Sequence, residues 1–198
     1  MHRLVLASQS PRRFQLLTDA GYEFTVTSSQ ISEIPDENLN LTDQVRQLAL
    51  DKALAVVDQG KVLKNMGNLV LSADTVVVLE GVMLGKPANL RENEEFLRKL
   101  SGKVHQVITG VCLFDVDSGR TVVDHDTSDV LFRNLSDREI LDYVQSGDGL
   151  DKAGGYGVQN SAKLFVEKLM GAFDNVMGLP VELVNRMLKE NGWYVDRK

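Results

Sequence analysis

Short apolar runs alternate with stretches of helical periodicity along this chain, and that alternation restricts it to an α/β architecture. Residues 4–7 read as a buried strand. A turn at 8–13 leads into a helix running to Ala20, with Gly21 as its left-handed stop. Residues 22–27 predict a second strand, and residues 28–41 a loop. A long helix is predicted from Thr42 to about Gly60. Residues 69–73 read as a buried strand that ends at Asp74, and residues 76–84, broken by Glu80-Gly81, as a hairpin. A charged helix covers about 89–100. Two strands, 105–115 and 121–132, flank the turn Asp117-Ser118-Gly119. Ser136 and Glu139 match a capping box, with Leu135 and Ile140 as its hydrophobic staple. A glycine-rich loop at 147–157, a strand at 163–169 and a helix from Pro180 to about Gly192 complete the pattern. No linker-like stretch divides the chain. The expectation is one α/β domain over 1–198: a mixed twisted sheet with flanking helices, and two lobes around a central cleft.

The 198 residues carry a net charge of −6. Coating nucleic acid needs a basic face, so such a role is excluded from the expectations. A small anion is different, because a few converging Arg and Lys residues hold one inside an acidic protein. No apolar stretch is long enough to cross a bilayer or to form a signal peptide, and a cytoplasmic protein without a membrane partner is expected. The single cysteine, Cys112, sits in an apolar run and reads as a buried, inert thiol. His2, His105 and His125 show no ligand spacing, so a zinc site is not supported. There is no Gly-x-Ser-x-Gly elbow.

Five segments carry side chains suited to phosphate or metal chemistry. In Ser8-Gln9-Ser10-Pro11-Arg12-Arg13, Ser10 caps a helix and Pro11 fits its first position. Free amides and the positive dipole end there favour an anion, and Arg12 and Arg13 can fork onto phosphate oxygens or simply remain solvated. Lys52 falls in the middle of the apolar stripe formed by Val45, Leu48, Ala49, Ala53 and Val56. Its ammonium must find a partner, line a cavity or snorkel to water, and snorkelling is the ordinary outcome. Asp74 ends an apolar strand, where a carboxylate either binds a hard cation and accepts a proton or starts a turn at Thr75. Glu33, in a polar loop, and Lys86, at a hairpin end, read as surface charges when taken alone. The glycines of residues 151–159 either let a backbone approach a ligand or make a flexible loop. Gln159, at the end of that segment, can read a base edge.

Together these segments resemble the Maf family of nucleoside triphosphate pyrophosphatases. The resemblance lies in Leu-Ala-Ser-x-Ser-Pro-Arg-Arg at 6–13, Asp51-Lys52-Ala53, Ala73-Asp74-Thr75-Val76 and Gly85-Lys86-Pro87. It continues through Leu100-Ser101-Gly102, residues 105–110, residues 151–159 and residues 175–180, in the family's order and over nearly the whole chain. The resemblance implies a Maf/ITPase-like fold, often in a homodimer, and cleavage between the α and β phosphates with Mg²⁺ or Mn²⁺. It implies Asp74 as the proton acceptor and Glu33 and Asp74 as the residues placing metal and water. Ser8, Arg12, Arg13, Lys52 and Lys86 would hold the triphosphate, and Arg12, Thr75 and Gln159 would set substrate choice. Residues 151–159 are similar to the branch acting on dTTP and UTP. The sequence departs from the common pattern at Ser72, where Gly is usual. It departs also at Gly85, a variant seen in the branch acting on 7-methyl-GTP. A nucleotide-binding regulator of cell division is the competing reading from another class, motivated by the family's association with septum formation.

Overall fold

Several helices begin where a side chain supplies an acceptor for the first free amides. The computed structural model describes residues 1–28, 31, 34, 36 and 38–198. Strand β1 (Arg3–Ala7) leads to α1 (Pro11–Asp19), whose cap Ser10 accepts from the Arg13 amide at 3.5 Å. After β2 (Phe24–Thr27) comes α2 (Leu41–Asp58), capped by Asn40 through the Asp43 amide at 3.0 Å. Strands β3 (Asn68–Leu79) and β4 (Val82–Leu84) form the expected hairpin. Asn89 caps α3 (Leu90–Leu100). Two long strands follow, β5 (Val104–Asp115) and β6 (Thr121–Phe132). The capping box predicted at Ser136 and Glu139 is formed in both directions at the start of α4 (Asp137–Ser146). The last elements are β7 (Val166–Met170), α5 (Phe173–Met177) and α6 (Val181–Glu190).

The strands join in one sheet of order β2-β1-β3-β5-β6-β7, with β4 on β3. β1 pairs in parallel with β2 and with β3, whereas β4 and β7 pair antiparallel with β3 and β6. The mixed α/β sheet with flanking helices is therefore as expected. Among the described residues no helix is long and apolar enough to cross a membrane.

The chain forms two compact units. Unit 1 comprises Met1–Asp74, Thr109–Asp126 and Gly178–Lys198. Its strands alternate in the ordinary period of two. Leu4 and Leu6 of β1, and Leu69, Leu71 and Ala73 of β3, pack with Leu17 of α1 and Leu183, Val184, Met187 and Leu188 of α6. Val5, Ala7 and Val70 face the other way, against Ala49, Ala53 and Val56 of α2. Gly110 of β5 lets α2 lie close: a Cβ there would stand 2.4 Å from the Val45 carbonyl oxygen. Residues 193–198 close this unit. Trp193 joins the first core, the His2 amide donates to Tyr194 at 2.7 Å, and the Lys198 amide donates to Gly21 at 2.7 Å. Arg197 binds the Tyr22 hydroxyl and Asn185, each at 2.6 Å.

Unit 2 comprises Thr75–Ile108 and Thr127–Met177. Phe132, Tyr143, Tyr156 and Phe165 stack edge to face, with His105 against Phe132 and Tyr156. Asn175 is fully buried and donates to the Val107 carbonyl and to Ser128.

Three segments differ from expectation. β3 does not end at Asp74 but runs on to Leu79, because Val76–Leu79 is itself a buried β-branched and apolar run. The strand expected from residue 163 begins at Val166. Before it lies a 3₁₀ segment, Asn160–Phe165, whose Leu164 and Phe165 carbonyls accept from Arg133. α5, at five residues, is too short to reveal a period.

Candidate active site

Side-chain parity on β3 and the stripe on α2 bring two predicted residues together. Val70, Ser72 and Asp74 share one face of β3, as alternate residues must. Val70 packs into the α2-facing core, the Ser72 hydroxyl donates to the Ala49 carbonyl at 2.6 Å, and Lys52 Nζ lies 2.6 Å from Asp74 Oδ1. Lys52 is 7% exposed and Asp74 6%. The ordinary outcome for Lys52, snorkelling, is therefore overturned: the ammonium is buried and paired. Asp74 does not start a turn either, since it lies inside a continuous strand. An ion pair this dry persists only when the two charges satisfy each other, because an isolated buried charge is costly. Cys112, hydrogen-bonded to Ser72, is an inert thiol pushed up to about 12 by burial.

The turn after β1 is also built as its sequence implied. Ser8 is buried, and its Oγ accepts from the Ser10 amide at 3.1 Å and from Arg13 Nη1 at 3.3 Å. With both lone pairs engaged, the hydroxyl hydrogen is what Ser8 offers to an anion. Arg13 is not simply solvated. Its Nε donates to the Gly178 carbonyl at 2.7 Å, tying the 8–13 turn to the residues that open α6. Arg12 is half-buried at the start of α1, where free amides favour negative charge.

Unit 2 carries the remaining candidates. Thr75 follows Asp74 on β3 and is half-buried; Lys86 is exposed. The glycine-rich segment is a packed turn rather than a flexible loop. Gly154 and Gly155 adopt φ of +68° and +72°. A Cβ on Gly154 would lie 2.7 Å from Val77, and one on Gly155 2.2 Å from Asn93 Nδ2. Asn93, fully buried on α3, donates to the Gly155 carbonyl at 2.7 Å, and the Gly154 amide donates to Gly85 at 3.0 Å. Tyr156 and His105 share a buried 2.6 Å hydrogen bond. Burial lowers the His105 imidazole from 6.5 to about 4, so it is neutral at ordinary pH. Lys152 is held by Asp148 and Asp151. Gln159 follows this turn, half-buried, with Nε2 3.7 Å from Met177 Sδ.

Glu33, the second predicted metal-binding acid, lies outside the described residues. Among those described, no group of three or more His, Cys, Asp or Glu residues forms a metal cage. Ser72, Gly178, Asn93 and Tyr156 are supporting residues that motif reading alone did not assign a part. For Ser72 the signal was present, since it shares its parity with Asp74.

A family model described as Maf-like protein matches residues 3–191. A protein of Bdellovibrio bacteriovorus named "dTTP/UTP pyrophosphatase" is 44% identical over 187 residues, covering 94% of this chain and 97% of its own length. A protein of the same name from Caldicellulosiruptor bescii is 45% identical over 193 residues, covering 98% and 96%. Among solved structures, the Staphylococcus aureus Ham1 protein aligns over 96% of this chain and 99% of its own at 16% identity and a TM-score of 0.48.

Proposed function

Since this chain belongs to the Maf-like family, we propose that it is a nucleoside triphosphate pyrophosphatase hydrolysing dTTP and UTP to the monophosphate and diphosphate. The observation that carries this reading is the buried Lys52–Asp74 pair, a carboxylate fixed by a cation on an otherwise apolar helix face. Two close relatives bearing the dTTP/UTP name support the choice of base.

In this mechanism a water attacks the α phosphorus in line with the bridging oxygen. The phosphorus–oxygen bond to the β phosphate breaks, and diphosphate leaves. Asp74 takes the water's proton. Lys52, fixed on Oδ1, orients the carboxylate and leaves Oδ2 as the atom assigned to that proton. The Ser8 hydroxyl, Arg12 and the first amides of α1 bind phosphate oxygens, with Lys86 as a further cation and Arg13 fixing the turn. These donors are set before the reaction and stabilise charge as it gathers on the departing diphosphate. Arg12, Thr75 and Gln159 set the choice of nucleotide.

Mg²⁺, or Mn²⁺, fits this donor set, because magnesium commonly takes one or two carboxylates and completes its shell from substrate phosphates and water. Asp74 supplies a hard oxygen, and Glu33 would supply the second. When bound, the ion would offset phosphate charge and acidify the attacking water. A homodimer in the cytoplasm completes the reading.

Diphosphate release by the purified protein with Mg²⁺ tests it, measured across dTTP, UTP, CTP and 7-methyl-GTP beside Asp74→Asn. Release is expected from dTTP and UTP, falling about 10²–10⁴-fold in the variant. Preference for 7-methyl-GTP would replace the substrate assignment. Nucleotide binding without any release would replace the enzyme with the regulator of cell division.

A further inference from the structure

We infer that Ser72 is a positioning residue, which sets Lys52 against Asp74 by tying α2 to β3 one step before the ion pair. The kinetic part of this inference rests on the proposed activity; the placement of Lys52 does not.

Two ties join the same helix and strand. Ser72 Oγ meets the Ala49 carbonyl at 2.6 Å, and two residues further along β3 Asp74 meets Lys52 at 2.6 Å, three residues further along α2. A step of two strand residues is about 6.6 Å and three helix residues rise about 4.5 Å, so the ties are neighbours and a shift at one is felt at the other. Ser72 is fully buried, with no water to take over its bond. On β5, Gly110 admits the Val45 carbonyl at a distance no other residue allows, so α2 already lies at its closest approach to the sheet. Gly110 supplies that closeness. Ser72 supplies direction, since a hydrogen bond fixes where the Ala49 turn sits and a methyl contact does not.

The hydroxyl is not needed to satisfy the helix. The Ala49 carbonyl lies inside α2, where the amide four residues on is its regular partner. Ser72→Ala therefore leaves no orphaned acceptor there, and its effect on stability is small. An effect on the reacting pair is larger, because displacement of a catalytic group by a fraction of an ångström already costs rate.

The test compares Ser72→Ala, Ser72→Thr and Val70→Ala with the parent protein. Val70 lies on the same strand face but makes no polar tie to α2. Three quantities are measured: the thermal midpoint, the rate of reductive methylation at Lys52 followed by mass spectrometry, and kcat and KM for dTTP. Ser72→Ala is expected to methylate at Lys52 severalfold faster and to lose about three- to tenfold in kcat, with KM within about twofold. Ser72→Thr keeps the hydroxyl and is expected to restore both. Val70→Ala is expected to lower the thermal midpoint more than Ser72→Ala does, while Lys52 reactivity and kcat stay near those of the parent. Unchanged Lys52 reactivity in Ser72→Ala overturns the inference, as does an equal change in Val70→Ala. An inactive parent protein would sink the proposed function alone, and the methylation rates would still decide the part played by Ser72.

Discussion

The α2-facing side of β3 and the turn at residues 153–157 are both closely held, but by opposite means. On β3 the order comes from polar atoms held in apolar surroundings: Ser72 on Ala49, and Asp74 on Lys52. In the turn it comes from missing atoms. Gly154 and Gly155 have no Cβ, and Val77 and Asn93 occupy the space a side chain would need. A site held by charge is sensitive to any change in ionisation and tolerant of small changes in volume. A site held by shape is the reverse.

Removing one charge should produce the largest effect. Lys52→Met leaves the Asp74 carboxylate buried without its cation, and a loss of about 4 kcal/mol in unfolding free energy is expected. Chemical denaturation of Lys52→Met, Asp74→Asn and the double variant measures the coupling. The double variant should be more stable than Lys52→Met alone, and a simple sum of the two single losses would show that the pair does not hold the helix.

Acid comes next, and it separates the two regions differently. His105 takes its proton near 4 when folded and near 6.5 when unfolded. Between these values the unfolded chain binds more protons, so stability is full above about 6.5 and falls as pH falls toward 4. The loss is about 3 kcal/mol across the whole window. Denaturation midpoints at pH 7 and pH 4.5 should show it, and His105→Gln should abolish it. An undiminished acid loss in that variant would assign the effect to other groups.

The smallest effect is expected from volume. Gly155→Ala places a Cβ against Asn93 at a positive φ and should cost about 2 kcal/mol. If this variant proved as costly as Lys52→Met, the contrast between charge-held and shape-held regions would lose its meaning.

Local signals made much of the fold legible. Ser10 with Pro11 and Ser136 with Glu139 start their helices as expected, because a cap and its partner lie within one turn. The stripe that includes Lys52 placed a charge on an apolar face, yet snorkelling was its ordinary outcome, because the partner that buries it was hidden. Asp74 is 22 residues away, and only the sheet brings it back. β3 was read as two pieces at Asp74, since a charge normally ends a buried strand and nothing local announces the cation that admits it. The glycine-rich turn was left between a ligand cradle and a flexible loop, and Asn93 on α3, remote in sequence, removes the flexible loop. Arg13 was legible as a cation but not as the donor to Gly178, whose sequence separation of 165 residues puts it beyond any local pattern.

The way residues 178–198 complete unit 1 has a consequence for synthesis. Unit 2 is made wholly from residues 75–177, so every one of its strands and helices has been translated before α6 exists. Unit 1 begins first but cannot close its core until Leu183, Val184, Met187, Leu188 and Trp193 leave the ribosome. Of the two units, the one whose first segment is made earlier is thus the one completed later. Until then the apolar faces of β1 and β3 that await α6 stay open to other chains and to chaperones.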